Sequence, residues 1–267
     1  MSSVAAALAD GAIIAKRNLI KIKRVPDVLV FTTMSPIMFV LLFGYVFGGS
    51  INVPGPISYR EFLMAGVFVQ TSVFGATFSG ASIADDMQKG IIDRFRSLPM
   101  ARVSVLIGRT ASDIVSNSIS IVVMSLTGLA IGWRIRTSVP EAIGGFLLIL
   151  LFAYAFSWIM TYVGLLVRTV EVVNNASFMV IFPLTFIANT FVPSQNLPAG
   201  LQTIAEWNPV SAVALAARES FGNLVPGAAS NAWSLRNAAV YSLMWVVLIL
   251  AIFVPLSVRQ YRRAATR

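Results

Sequence analysis

The chain has 267 residues, of which 57% are hydrophobic and 12% are charged, and its mean hydropathy is +0.80. A soluble domain of this length carries roughly twice that charged fraction, so the composition excludes a soluble protein and indicates an integral membrane protein in contact with lipid. The chain has no Cys and no His, and its net charge of +9 comes from bases beside hydrophobic segments, so we expect no thiolate metal site, no typical enzyme and no nucleic-acid partner.

Residues 1–27 have a helical pattern, with apolar side chains on one face and a cluster of Lys and Arg near the end. We expect an interfacial helix along the inner membrane surface, where its cations contact anionic lipid headgroups. The segment lacks the charged start and compact apolar core of a cleavable signal peptide. The predicted apolar face consists of Val4, Leu8, Ala12, Ala15, Leu19 and Ile22.

Six segments are long and apolar enough to cross a bilayer as helices, which takes about 20 residues each. Helices are favoured over strands because the apolar runs are continuous and do not alternate with polar residues. The predicted fold is therefore an all-α integral membrane protein with a six-span transmembrane domain over residues 28–258. The predicted spans are Val28–Gly48, Phe62–Ala84, Val103–Ile131, Ile143–Val167, Val172–Val192 and Ala238–Val258.

The distribution of basic residues predicts the orientation. With both termini in the cytoplasm, fifteen of the twenty Lys and Arg residues lie on the cytoplasmic side, including those of the basic tail at residues 259–267. The positive-inside rule selects this arrangement. We therefore predict a multi-pass protein of a bacterial inner membrane with both termini in the cytoplasm.

Residues 82–109 interrupt the apolar chain with three acidic and five basic side chains. Ile91, Phe95 and Leu98 follow i, i+4, i+7 spacing and would form one apolar stripe on a helix. Pro99 would end that helix, because it donates no N–H and clashes with the preceding turn. Two interpretations stay open from composition alone: a docking element for a partner in water, or a solvated loop whose charges fix the topology.

Asp113 lies near the inner end of the third predicted span, four residues after Arg109. A charge within the hydrocarbon is costly and is usually paired. An i, i+4 pair between these two residues would neutralise both charges. We expect a structural pair, with a relay of motion from residues 82–109 as the alternative.

The predicted outer loop over residues 193–236 is long and only weakly polar. Its pattern predicts two short helices within about residues 196–225, with Pro209 marking the break between them. We expect these helices to dip into the outer leaflet and return. Re-entrant backbone must be buried against protein, because lipid cannot satisfy its hydrogen bonds.

Aromatic and methionine side chains in the spans are candidates for a pathway, because aromatic faces and flexible thioethers adapt to flat apolar solutes. Amides in the fifth span either hydrogen-bond between helices or contact a substrate. For all of these side chains, packing against lipid or neighbouring helices is the alternative. The candidate pathway residues are Phe39, Phe43, Phe74, Phe78, Asn175, Met179, Phe182 and Asn189.

Three sequence blocks occur in order along the chain: RVPDVLVFTTMSPIMFVLLFGYVFGG, DDMQKGIIDRFRSLPMARVSVLIGR and PLTFIANTFVPSQNLPAGLQTIAEWNPVSAVALAARE. Together they resemble the permease subunits of ABC type-2 exporters, especially the daunorubicin-resistance type. The shared features are Arg-x-Pro before the first span, an acidic residue followed by Gly and Leu-Pro after the second, and Asn-Pro before a terminal Arg. One departure is Ala188-Asn189-Thr190, where many members have a Ser-Gly pair.

The resemblance implies that the segment at about residues 84–99 is a coupling helix that docks into a groove on a separate ATPase subunit. ATP and Mg would be bound by that partner, because the chain contains no P-loop string and no cofactor is expected in it. The resemblance also implies a second permease subunit and outward transport of a hydrophobic or amphipathic compound, such as a drug, an antibiotic or a lipid-like metabolite. The implied docking residues are Asp85, Asp86, Gln88, Gly90, Ile91, Ile92, Arg94, Phe95, Leu98 and Pro99.

Two other classes of protein are weighed against the exporter. A proton-driven secondary transporter of hydrophobic solutes needs paired intramembrane carboxylates or histidines, and only Asp113 qualifies. A membrane transferase is disfavoured because His and Cys are absent and no acidic cluster faces the membrane.

Overall fold

The computed structural model describes residues 10–17, 20, 26–46, 57–91, 104–167, 169–224 and 231–264. Within these ranges every regular element is helical, in agreement with the predicted all-α fold. A π-helical turn at Leu42–Val46 follows α1, and a 3-10 turn at Ser194–Asn196 precedes α7. The α-helices are α1 Pro26–Leu41, α2 Tyr59–Gly75, α3 Thr77–Gln88, α4 Ser104–Ala130, α5 Val139–Leu166, α6 Val170–Phe186, α7 Ala199–Glu206, α8 Pro209–Phe221, α9 Trp233–Arg236 and α10 Ala238–Ala264.

Four helical stretches are long and apolar enough to cross a membrane: α2 together with α3, then α4, α5 and α10. The first and fifth predicted spans correspond to shorter apolar helices, at Met34–Val46 and Val170–Phe186. The chain is therefore a helical, multi-pass membrane protein. α2 and α3 form its centre, since their side chains are the most thoroughly buried among the four stretches.

The second predicted span is broken at Ala76 into α2 and α3. α2 begins at a capping box, in which the Ser58 hydroxyl accepts the Glu61 N–H and the Glu61 carboxylate accepts the Ser58 N–H. At the break, the Thr77 hydroxyl donates to the Phe74 carbonyl oxygen over 2.7 Å. Such back-bonding by Thr competes with the helical ladder, but Ala76 keeps right-handed helical geometry, so Tyr59–Gln88 remains one stretch long enough to cross a membrane.

The predicted coupling helix over residues 84–99 is not one continuous helix. α3 ends at Gln88, and Lys89 and Gly90 form a turn before Ile91. Gly90 has φ +63°, a left-handed conformation that stops a helix and that glycine adopts without strain. Asp85, Asp86 and Gln88 consequently belong to the second-span helix. The docking residues outside the described part of the chain are Ile92, Arg94, Phe95, Leu98 and Pro99.

The fifth predicted span ends earlier than expected, at Phe186 and not at Val192. Residues 187–193 form no helix and are named here the bend segment. The polar groups around it bond to tertiary partners: the Asn208 side-chain amide donates to the Leu184 carbonyl over 2.7 Å, and the Asn189 N–H donates to the Ser211 hydroxyl over 3.0 Å. These contacts replace the hydrogen bonds that a longer helix would have made.

α3 and α5 cross in direct backbone contact at two glycines. A Cβ at Gly164 would overlap the Gly80 carbonyl and lie 2.8 Å from the Gly80 Cα, and a Cβ at Gly80 would lie 2.5 Å from the Met160 carbonyl oxygen. Small residues allow this close approach in membrane helices. The crossing fixes α3 against the middle of the bundle.

Two short helices, α7 and α8, occupy the region where the sequence predicts a helix pair with a break at Pro209. Asn208 caps α8 by accepting the Val210 N–H over 2.9 Å, and Pro209 is its first residue. α8 packs between α2, α5 and α10, and Phe221 at its end contacts the buried Trp133. The α8 end of the bundle is therefore well packed.

At the opposite end, residues 10–17 are helical and pack across α4. Gly11 and Gly108 are in backbone contact, and Ile14 is buried beside them. Of the predicted apolar face, Ala12 is exposed and Ala15 is half-buried, while Val4, Leu8, Leu19 and Ile22 lie outside the described residues. The buried face follows the glycine contact, because only Gly allows two helices to approach so closely.

Candidate functional site: the polar contact, the aromatic row and Arg218

The end of α3 is held by charged contacts within the chain. Lys89 Nζ lies 2.8 Å from Asp85 Oδ2, and Arg17 Nη2 lies 3.8 Å from Asp86 Oδ1. The second of these contacts joins α3 to the N-terminal helical segment. The acidic side chains expected to surround a partner groove therefore also anchor the start of the segment that follows α3.

A second hydrophobic cluster lies beneath these charges and joins five parts of the chain. It packs the N-terminal segment, α3, α4, α5 and α10 against one another. The two helices that flank residues 92–103 in the chain, α3 and α4, therefore belong to one packed unit. Dense packing transmits displacement because interiors have low compressibility. Its buried members are Ile14, Ile83, Val105, Leu106, Trp158, Leu165 and Tyr261.

The predicted partners Arg109 and Asp113 lie together on α4, with Arg109 Nη2 3.6 Å from Asp113 Oδ1. Both side chains also reach α3. The Ser79 hydroxyl donates to Asp113 Oδ2, and Arg109 Nη2 donates to the Phe78 carbonyl oxygen over 3.0 Å. These four groups are named here the polar contact. It ties α4 to α3 just beyond the helix break at Ala76.

Seven phenylalanines form a continuous series of ring contacts, named here the aromatic row. Neighbouring ring centroids are 4.1–6.2 Å apart, the range in which aromatic pairs attract one another. The row runs from α1 and its π-helical turn, across the bend segment, and along α6 to the end of α2. In contact order its members are Phe39, Phe43, Phe191, Phe186, Phe182, Phe178 and Phe74.

The structure brings together four of the predicted pathway residues and separates the others. Phe39, Phe43, Phe74 and Phe182 belong to the aromatic row, whereas the remaining four make no ring contact with it in the described chain. Phe78 is exposed near the polar contact, Asn175 is exposed on α6, Met179 is 79% exposed, and Asn189 is buried beside Arg218.

Arg218 on α8 is 1% exposed, and its guanidinium bonds to neutral oxygens alone among the described residues. Nε donates to the Phe62 carbonyl over 2.9 Å, and Nη1 donates to Asn189 Oδ1 over 3.2 Å. Nη2 donates to the carbonyls of Asn189 and Thr190 over 2.7 and 3.1 Å. The guanidinium carbon also lies 3.7 Å from the centroid of the Phe62 ring, a cation–π contact. These oxygens are named here the carbonyl cradle.

The bend segment is fastened at two further points. The Thr190 carbonyl lies against Gly66, where any Cβ would overlap it. The Tyr59 hydroxyl donates to the Phe191 carbonyl oxygen over 3.1 Å. Three consecutive carbonyls of the bend segment are thus held by Arg218 and Tyr59.

Sequence reasoning missed Ser79, Tyr59 and the role of Arg218. A single Arg within the small, apolar α8 sequence VSAVALAARES was the available signal, because a buried cation needs acceptors. Nothing local predicts the partners, since Phe62 is 156 positions away along the chain.

The described helices form a multi-pass bundle whose class is identified by comparison with known proteins. A family model described as "ABC-2 type transporter" matches residues 11–221. The chain therefore belongs to the ABC-2 type transporter family, and the predicted resemblance is confirmed.

Three relatives illustrate the similarity. The chain is 31% identical over 246 residues to the daunorubicin resistance ABC transporter permease protein DrrB1 of Streptomyces coeruleorubidus, which covers 92% of this chain and 83% of that protein. It is 24% identical over 232 residues to the probable doxorubicin resistance permease DrrC of Mycobacterium tuberculosis, covering 86% and 80%. It is 25% identical over 205 residues to the putative transport permease ycf38 of Cyanophora paradoxa, covering 74% and 69%.

Family membership confirms the predicted function as the permease subunit of an ABC-2 exporter. Such a subunit has no ATPase activity of its own, and ATP is bound by a partner ATPase subunit. The polar contact and the aromatic row consequently belong to a transport machine whose motor is another polypeptide.

Proposed function

We propose that this permease, driven by its ATPase partner, exports a flat hydrophobic or amphipathic compound, such as a drug, an antibiotic or a lipid-like metabolite. The aromatic row is the observation that carries the proposal. Its rings are in continuous contact, and two of them, Phe178 and Phe182, are exposed on the described chain. Flat apolar solutes stack on such surfaces. Two relatives are named for resistance to daunorubicin or doxorubicin, which supports this substrate class.

The aromatic row is tested by daunorubicin efflux from cells that express the permease with its ATPase. Phe182→Ala and Phe186→Ala each remove one ring, and each ring pair contributes enough for an expected loss of about threefold to tenfold in efflux rate. Val180→Ala on the same helix is the control, because Val180 is exposed and makes no ring contact. Unchanged efflux in both phenylalanine variants would refute a role for the row.

A second permease subunit completes the proposed transporter. α6 exposes the amides of Asn174 and Asn175, which make no hydrogen bond to any described residue. Exposed amides are unfavourable in hydrocarbon, so this face of α6 fits a protein neighbour or a wet pathway better than lipid. We propose that α6 and the aromatic row face the partner permease across the pathway.

The proposed topology has six spans in a bacterial inner membrane, with both termini in the cytoplasm. α1 with its π turn and α6 supply the two spans beyond the four long stretches. The charge distribution supports the orientation, because most bases lie on the cytoplasmic side in this arrangement. The α8 end is then the outer end, with α7 and α8 dipping into the outer leaflet.

Residues 84–99 are the proposed docking region for the ATPase, with Ile91, Ile92 and Phe95 filling a groove in that subunit. The packed cluster beneath α3 supports this role, because a displaced docking region would move α3 and α4 together. The polar contact then relays this movement: Arg109 and Asp113 hold α3 and α4 as one lever beyond the break at Ala76.

A proton-driven mechanism is the alternative, and Asp113 is the carboxylate that the sequence predicts for it. Asp113 is 5% exposed and already bonded to Ser79 and Arg109, which favours a structural charge over a carrier of protons. Efflux from ATP-loaded vesicles should persist after a protonophore collapses the pH gradient. Loss of efflux under that condition would favour the proton-driven alternative.

A further inference from the structure

Arg218 carries a buried cation without an anionic partner among the described residues. Burying a charge is strongly unfavourable, and a carboxylate in good geometry is the usual compensation. The carbonyl cradle supplies neutral oxygens instead, at 2.7–3.2 Å. Because no carboxylate offsets the lost hydration of this guanidinium, water that enters the cradle favours its release.

The carbonyl cradle joins two elements that a transport cycle could separate. Three of the four hydrogen bonds go to Asn189 and Thr190 in the bend segment, and the fourth goes to Phe62 on α2. Arg218 therefore fastens the end of α6 to the central helix. Because the bend segment is not helical, its carbonyls can leave Arg218 without unwinding a helix.

The same segment closes the aromatic row. Phe191 is the ring that connects the α1 side of the row to the α6 side, at 4.4 Å from Phe43 and 5.0 Å from Phe186. Tyr59 bonds to the Phe191 carbonyl. The position of this ring thus depends on the bonds that Arg218 and Tyr59 make to the bend segment.

We propose that Arg218 is a positioning residue that latches the bend segment over the outer end of the aromatic row. Its release opens the row to the outside. This inference rests on the proposed function and on the proposed orientation. The carbonyl cradle is then an outer gate. The gate opens when water hydrates the Arg218 guanidinium and the carbonyls that it binds.

The latch can be tested by the reactivity of one cysteine next to the bend segment. The native chain has no Cys, and Ser194 is 5% exposed, so Ser194→Cys gives a single site that is covered while the latch is closed. The permease and its ATPase are assembled in right-side-out vesicles, with or without Mg-ATP inside. A membrane-impermeant maleimide is added outside, and the labelling rate is measured.

The closed latch should label slowly without ATP and faster during ATP hydrolysis. Arg218→Lys keeps the charge but loses the fork that spans the cradle, and Tyr59→Phe removes one hydroxyl. Each should raise the labelling rate without ATP by about tenfold or more, because each removes at least one hydrogen bond that holds the segment. Arg236→Lys, at an exposed arginine of the same end, is the control and should not change the rate.

If the Arg218→Lys complex does not assemble, the Tyr59→Phe variant provides the test, because it removes one oxygen atom and keeps the aromatic ring. Labelling that is unaffected by the variants, in a complex that still exports daunorubicin, would overturn the latch. Labelling that responds to the variants without any daunorubicin efflux from the same vesicles would reject the proposed function and keep the latch. The two failures are therefore distinguishable.

Discussion

Single polar residues within the bundle are held by partners on neighbouring helices. Asp113 accepts a hydrogen bond from Ser79 and lies beside Arg109, while Arg218 donates to backbone carbonyls. Buried polar groups that lose a partner are costly, because water cannot replace it. These contacts are consequently the places where a one-atom change should have a measurable effect.

Ser79→Ala should destabilise the permease, because it removes a hydrogen bond to a buried carboxylate. Such bonds contribute about 1.5–3 kcal/mol to the free energy of unfolding, so the midpoint of thermal unfolding in detergent should fall. Ser118→Ala is the matched control, since the Ser118 hydroxyl donates only to the Ile114 carbonyl of its own helix. Equal midpoints for Ser79→Ala and Ser118→Ala would show that the polar contact adds nothing to stability.

Contacts between side chains that are close in the chain could be predicted from the sequence, whereas contacts between distant residues could not. The Arg109–Asp113 pair was predictable because i, i+4 spacing places both side chains on one helix face. Ser79 was not, because it lies 34 positions from Asp113 and meets it only through the packing of α3 on α4. The carbonyl cradle was out of reach for the same reason, since backbone acceptors leave no mark in a sequence.

Helices were predicted well wherever apolar length and continuity decide them. The third predicted span, Val103–Ile131, nearly coincides with α4, and the fourth overlaps α5. The differences lie at the one-residue turn at Ala76, at the early end of α6 at Phe186, and at the left-handed turn at Gly90. At the end of α6 the partners Asn208 and Ser211 lie 24 and 22 positions from the residues that they bond to, so the local pattern could not predict them.

The α3–α5 crossing gives a prediction about two glycines of one helix. Gly164→Ala should strongly lower the yield and the unfolding midpoint, because its Cβ would overlap the backbone of Gly80, and backbone cannot shift cheaply in a packed core. Gly144→Ala on the same helix meets nothing within 4 Å and should be neutral or stabilising by about 0.5–1 kcal/mol. Size-exclusion profiles and thermal unfolding of both variants measure the contrast. Tolerance of Gly164→Ala would mean that α3 and α5 do not touch in the membrane.

The docking region gives a prediction about one element and its partner. A buried Phe or Ile side chain stabilises association by roughly 1.5–3 kcal/mol, so Phe95→Asp should lose that contribution and bury an unpaired charge. The variant should reach the membrane at normal levels, because the proposed docking region would face water when the ATPase is absent. Co-purification of the ATPase and daunorubicin efflux should fall together.

Val139→Asp, at an exposed site of the opposite end, is the control for the added charge and should keep its ATPase. If the Phe95→Asp permease retained its ATPase as well as the native chain does, residues 84–99 would be an ordinary loop. The ATPase would then not move this region, and the polar contact would have no movement to relay.

For the whole molecule, orientation in the membrane decides which of these parts meets the ATPase and which meets the outside. The bundle has two distinct ends: one carries the charged turn after α3 and the packed N-terminal segment, and the other carries α7, α8 and the bend segment. The charge count supports the proposed placement of the first end in the cytoplasm, and both the proposed docking region and the proposed latch depend on that placement.

Because the native chain has no Cys, single cysteines report the orientation directly. Gln195→Cys, exposed at the α8 end, should react with a membrane-impermeant maleimide in intact cells. Lys89→Cys, exposed at the opposite end, should react only after the cells are opened. Each variant serves as the control for the other, since both sites are exposed and differ only in side. Reaction of Lys89→Cys from outside, with Gln195→Cys protected, would show that the orientation is the reverse of the proposed one. The latch would then lie in the cytoplasm, and the docking region would lie outside, where no ATPase can reach it.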